Sequence, residues 1–205
     1  MSSDIPFIEN TIIKLPDSSG VRSGVLSKDA VIQGIPFSSG SVIGFDDEGS
    51  LWRCNLSDDT LILNVLCMAK SEVEFSPAGG LRMCTVSEET IIERMPVMAE
   101  TMVMFHENGR LFKCEISKDT TVQGFCVKMG TDVCFFGDGR LSAFDLSDDT
   151  LIDRMRCMAG TRVWLYRSGI LAGCTPSEDT MIQGVGCKKG KLAVFREDGT
   201  LINYD

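Results

Sequence analysis

An all-β fold of tandem 30-residue β-hairpin repeats, stacked into an open elongated array, follows from three observations on the sequence. Period-two apolar runs flank a glycine that returns at 49, 79, 109, 139, 169 and 199. Six intervening segments of the general form Ser-x-Asp/Glu-Thr-x-Ile begin at Ser27, Ser57, Ser87, Ser117, Ser147 and Ser177, with no insertion or deletion between copies. No stretch combines helical periodicity with capping residues over a useful length. A repeat this regular predicts one supersecondary unit copied along the chain, each copy burying its apolar face against the next.

Taken in order, residues 1–26 read as a degenerate N-terminal cap of a single repeat domain covering 1–205. Ile5-Pro6-Phe7 echoes Ile35-Pro36-Phe37, and a weak hairpin turns at Ser18-Ser19-Gly20. Complete hairpins then follow at 41–56, 71–86, 101–116, 131–146, 161–176 and 191–205. The clearest copy is Val103 to Cys114, whose Asn108-Gly109 predicts a type I′ turn, because that turn needs positive φ at both central residues. Ile43/Phe45, Val73/Phe75, Val103/Phe105 and Val133/Phe135 should share a buried face, since successive strand side chains alternate sides. The second strand opens on an apolar residue in every copy, from Leu51 to Leu201. Pro176 replaces the apolar residue found at Leu26, Leu56, Val86, Ile116 and Leu146, which predicts a looser last junction.

Each intervening segment contains a third extended piece, because Ile32, Ile62, Ile92, Val122, Ile152 and Ile182 are β-branched. Ile35, Val65, Met95, Phe125, Met155 and Val185 follow three residues later. Three is not a strand spacing, so a bend or bulge is expected between them, at Gly34, Gly124 and Gly184 in the copies that have one.

A lone hairpin is marginal in water, so neighbours must cover one another. An open array suits a 30-residue repeat better than a propeller, whose blades run to about forty residues. The glycine turns favour antiparallel hairpins over a parallel β-helix.

Several residue columns could carry chemistry. Nine cysteines are present, seven of them in two columns, Cys54/Cys84/Cys114/Cys174 and Cys67/Cys157/Cys187. Other copies place Phe, Val or Gly at those positions, so free thiols packed as small hydrophobes are favoured over disulfides between Cys54 and Cys67 or Cys174 and Cys187. With no Cys-x-x-Cys and a single histidine, His106, no metal or other cofactor is expected. Asp29, Asp59, Glu89, Asp119, Asp149 and Asp179 form an acidic column. One acid per copy is too few oxygen ligands for Ca²⁺, and these side chains are expected to bond nearby backbone N–H groups in a bend. His106 sits at a hairpin tip. No nucleophile elbow, P-loop, dinucleotide fingerprint or His-Glu-x-x-His motif is present; a non-enzymatic role follows.

A partner-binding patch is expected at Met68, Arg94, Met98, Arg154 and Met158. Two kinds of copy occur there, those with Gln33-Gly34, Gln123-Gly124 or Gln183-Gly184 and those with Met and Arg. Exposed methionines with nearby arginines make adaptable docking surfaces. Met95 and Met155, aligned with Ile35 and Val185, read as core.

A formal charge of −9 argues against nucleic acid and anionic lipid as partners. No apolar run reaches the roughly 18 residues of a membrane span. The first residues lack the basic and apolar regions of a signal peptide, so a cytoplasmic location is expected.

Phe105-His-Glu-Asn-Gly-Arg-Leu111, followed by Cys-x-Ile-Ser-Lys-Asp-Thr-x-Val-Gln-Gly124, resembles the repeats of uncharacterised bacterial β-hairpin repeat proteins. Through the aromatic-x-x-x-Gly-x-Leu hairpins the chain also loosely resembles MORN-type arrays. Both resemblances imply an elongated hairpin array. The functional expectation is a binding or scaffold module that presents an extended β surface to a protein or polymer. The alternatives are a building block that self-associates through end or edge strands, and a small-ligand or enzymatic protein whose site the repeats conceal.

Overall fold

The structure is a computed structural model and describes residues 5–14 and 21–204. The turn read at Ser18-Ser19-Gly20 lies outside them. The chain divides into two compact units, Met1–Thr90 with Ala99–Arg110, and Ile91–Met98 with Leu111–Asp205. In each unit the long strands form an antiparallel sheet, each paired with its neighbours in chain order. In the first unit they are Ile13–Lys14, Val21–Val25, Val42–Phe45, Leu51–Asn55, Glu72–Phe75, Leu81–Thr85 and Met102–Phe105, in chain order. In the second they are Leu111–Glu115, Asp132–Phe135, Leu141–Asp145, Arg162–Leu165, Leu171–Cys174, Ala193–Phe195 and Leu201–Tyr204, again in chain order. The fold is all-β and built from consecutive hairpins.

The alternation read from the sequence sets the buried face. Ile43, Val73, Val103 and Val133 are fully buried, and Phe45, Phe75 and Phe135 nearly so. Leu51, Leu81, Leu111, Leu141 and Leu171 join them from the second strands, with all four cysteines of the Cys54 column. Burying each large side chain contributes about 1.5–3 kcal/mol. The opposite face of the long strands carries cross-strand ion pairs, Arg53 with Glu72 at 3.6 Å in the first unit, Lys113 with Asp132 at 2.7 Å and Arg162 with Asp145 at 3.1 Å in the second.

The turns of the long hairpins differ from expectation. Gly109 has φ 79°, but Asn108 is not in the left-handed region, so the turn is not type I′. The Gly109 N–H donates to the His106 carbonyl at 2.9 Å and the His106 N–H to the Arg110 carbonyl at 2.8 Å. This is a type I turn closed by a left-handed glycine that makes a bulge. At the equivalent loop around Gly79 a register shift follows, between Leu81 and Met83. Side-chain oxygens decide the choice. Asp46 Oδ1 accepts from the N–H groups of Glu48 and Ser50, Ser76 Oγ from Gly80, and Asn108 Oδ1 from Arg110. Each bond stabilises the turn in the three-residue loop.

The tight primed turns occur instead in the intervening segments. What was expected as one bent strand is a short hairpin of two three-residue strands. Ala30–Ile32 pairs with Ile35–Phe37, and Thr60–Ile62 with Val65–Cys67. In the second unit Thr120–Val122 pairs with Phe125–Val127, Thr150–Ile152 with Met155–Cys157, and Thr180–Ile182 with Val185–Cys187. Both turn residues take positive φ in every copy, as at Gln33 (50°) and Gly34 (83°), or Asp153 (46°) and Arg154 (72°). A spacing of three is therefore a reversal: the two apolar residues face each other across a two-residue turn and point the same way.

Short hairpins cover the buried face of the long strands. Cys67 bridges to Val86, Val97 to Ile116, Val127 to Leu146 and Cys157 to Pro176. Phe7 bridges to Leu26 in the same way, so Ile5-Pro6-Phe7 does repeat Ile35-Pro36-Phe37. Ile32, Phe37, Ile62, Val65, Val122 and Ile152 are buried, and the Phe125 ring lies 4.9 Å from that of Phe144. The residues at Leu26, Leu56, Val86, Ile116 and Leu146 are hubs. Each donates its N–H to a residue fifteen ahead, as Leu146 does to Thr161 at 3.2 Å. Pro176 cannot donate. Beside it Leu171–Cys174 and Ala193–Phe195 keep two paired positions, where Leu141–Asp145 and Arg162–Leu165 keep three. The last junction is looser, as expected.

Candidate binding surface

In each short hairpin the first strand runs inward, outward, inward. Thr60 and Ile62 are buried while Leu61 between them is exposed. The outward position holds Val31 and Leu61 in the first unit, and Ile91, Thr121, Leu151 and Met181 in the second. These five aliphatic side chains, 59–71% exposed, are the most exposed large apolar groups among the described residues. Single exposed apolar residues are ordinary, but a row in one register position is a candidate contact surface.

Grooves lie beside this row. In the first unit Val31, Pro36, Leu61, Asp29 and Asp59 border a groove of about 420 Å³. In the second, Thr121, Cys126, Lys128, Asp119 and Asp148 border one of about 590 Å³. The acids come from the bend that opens each short hairpin. Their oxygens bond backbone, as expected, but ten residues ahead: Asp29 Oδ1 accepts from the Ser39 N–H at 2.9 Å and Asp59 Oδ1 from Ala69 at 2.6 Å. Asp119, Asp149 and Asp179 do the same to Met129, Ala159 and Lys189. The Ala159 N–H, foremost, holds the Asp149 carboxyl below its ordinary value, and the Lys188 ammonium does so for Asp179.

Counting the residue before each acid, the first unit sets Asp29, Asp58, Asp59, Glu88 and Glu89 against Lys28 alone. The second sets Asp119, Asp148, Asp149, Glu178 and Asp179 against Lys118. All of these are exposed, so the aliphatic row in each unit is flanked by an acidic edge.

The residues singled out from sequence fall elsewhere. Met68, Met98 and Met158 are half-buried just past the short hairpins, with backbone N–H groups donating to Thr85, Glu115 and Thr175. Arg94 and Arg154 are exposed at the tight turns, each with φ 72°. Within one copy Arg154 thus sits at the turn of a short hairpin and Met158 just past the end of its second strand. Met155 is core, at 3% exposure.

His106 is half-buried at the first turn position, where other copies have Asp46 or Ser76. Among the described residues no group of three or more His, Cys, Asp or Glu is placed to hold a metal ion. The cysteines are free thiols, seven buried, Cys126 exposed and Cys134 half-buried. Burial pushes Cys54 and Cys114 up to about 12. Cys67 is also raised, first by its hydrogen bond with the Cys84 thiol and then by burial.

Sequence reasoning missed the outward row. Its signal was the unspecified position in Ser-x-Asp/Glu-Thr-x-Ile, apolar in five of six copies on the strand face opposite the buried Ile. No protein-family model and no curated protein matches the chain. Among the described residues no helix is long and apolar enough to cross a membrane.

Proposed function

We propose that the protein is a non-enzymatic binding module whose short hairpins present the outward aliphatic row to a protein partner. One observation carries this reading: the most exposed large apolar side chains occupy a single repeat position, each between neighbours that are less exposed and, around Leu61, both buried. The opposite face of the long strands, laced with ion pairs, has the character of a solvated surface. Catalysis finds no support in the arrangement, since His106 belongs to a turn and most thiols are buried with raised pKa values.

The test is retention of a partner on immobilised protein. Leu61→Asp with Leu151→Asp leaves the buried faces untouched and should abolish retention of whichever protein the wild type holds. Trp52→Asp on the other face should not. Undiminished retention by the double variant contradicts the reading.

Self-association is the second reading. The strand order ends at Ile13–Lys14 and at Leu201–Tyr204, and unpaired strand edges invite pairing. Light scattering that stays monomeric across concentration removes it.

A further inference from the structure

The docking face carries spacing and charge that narrow its partner. We infer that it takes a basic peptide in the polyproline II conformation with an apolar side chain at every third residue. This rests on the binding-module reading above.

Spacing comes from the long strands. Each repeat adds two strands at ~4.8 Å, so equivalent residues within a unit recur every ~9.6 Å. A polyproline II segment advances ~9.3 Å in three residues and returns the same face each time. Its mismatch accumulates to only about 1 Å over the three steps from Ile91 to Met181. An extended strand repeats its face at ~6.6 or ~13 Å, which misses the row. A helix repeats near 10.5 Å every seven residues, drifts by almost 3 Å over those steps and is ~10 Å wide.

Charge comes from the bends. In the first unit's groove Asp29 and Asp59 flank Val31, Pro36 and Leu61, and no cation lines it. Their Oδ1 atoms are engaged by backbone N–H groups, which fixes the carboxylates in place without neutralising them. An ammonium or guanidinium beside each docked apolar side chain complements this edge. The second unit's edge is partly neutralised by Lys128 in its groove and by Lys188 on Asp179 at 2.8 Å. The first unit is therefore the stronger site for the basic residues.

The experiment measures fluorescence anisotropy of a labelled peptide of four Leu-Pro-Lys triplets on the full chain. The control is the same residues reordered so that leucines fall two and four apart. The triplet peptide should bind about tenfold more tightly than the control, and Leu61→Asp should weaken it by about tenfold. Asp29→Asn with Asp59→Asn keeps the backbone-bonding oxygens, and should weaken binding and flatten its salt dependence. Equal binding of the reordered peptide overturns the spacing argument, and an unchanged salt dependence overturns the charge argument. If neither peptide binds while Leu61→Asp with Leu151→Asp still releases the retained partner, this inference falls and the binding-module reading stands. If that double variant keeps the partner, both fall.

Discussion

Gln123 holds Gly139: its Nε2 donates to the glycine carbonyl at 2.8 Å, and its Oε1 accepts from the neighbouring Leu141 N–H at 3.1 Å. Gln33 makes the same clamp on Gly49 and Leu51, and Gln183 on Gly199 and Leu201. Asp153 keeps half of it, accepting from the Leu171 N–H at 2.7 Å. In these copies one tight turn thus positions the turn of the following long hairpin and ties the short hairpin to it. Gln123→Ala keeps an unbranched Cβ at φ 48° and removes only the clamp. It should cost about 1–2 kcal/mol for two hydrogen bonds, read as a shift in the urea midpoint at unchanged slope.

Leu63 is the converse. It occupies the same turn position at φ 48° and is 57% exposed, a left-handed conformation that disfavours its side chain. Leu63→Asn should stabilise the protein by about 0.5–1 kcal/mol, since Asn tolerates that region better. A lowered melting temperature contradicts this account of the turn.

The long hairpins and their buried face were legible because period-two alternation and a fixed glycine step are strong, local signals. The short hairpins were not. Their turns put Glu93-Arg94, Asp153-Arg154 and Leu63-Asn64 where sequence rules expect glycine, and only the surrounding contacts hold such residues at positive φ. Asn108-Gly109 misled for the opposite reason, because side-chain oxygens around the glycine select a longer loop with identical residues. The Met and Arg positions were read as neighbours without the short hairpin that runs between them, which puts Arg154 at its turn and Met158 past its second strand. The outward aliphatic row was readable in principle, had Leu61 and its equivalents been weighed as apolar residues on the wrong side of a strand.

The acidic column predicts a pH dependence. Asp149 and Asp179 have folded pKa values below their ordinary 3.8. Their contribution is therefore present above that value and is lost as pH falls through the depressed folded values. Asp149→Asn keeps the oxygen that bonds Ala159 but carries no charge, so the acid limb of its stability curve should be shallower than the wild type's. Superimposable acid limbs contradict the assignment.

Thiol accessibility checks the core. Cys126 should react with an aromatic disulfide reagent at once. Cys134, whose Sγ lies 3.2 Å from Arg162 Nη2, should react more slowly. The seven buried thiols should react only on unfolding, to a total of nine. Burial withholds the reagent from all seven and, at Cys54 and Cys114, the thiolate as well. Cys126→Ser should remove the fast phase alone, and several fast thiols in the native protein contradict the packing.

The most direct test of the central claim places a photo-crosslinking amino acid, one site at a time, at Leu61 and Leu151 on the short hairpins and at Trp52 and Trp164 on the opposite face. Illumination of the complex with the retained partner should give crosslinked product from the first pair and none from the second. Crosslinking confined to Trp52 and Trp164 would show that the partner sits on the ion-paired face, and the aliphatic row would lose its assigned role.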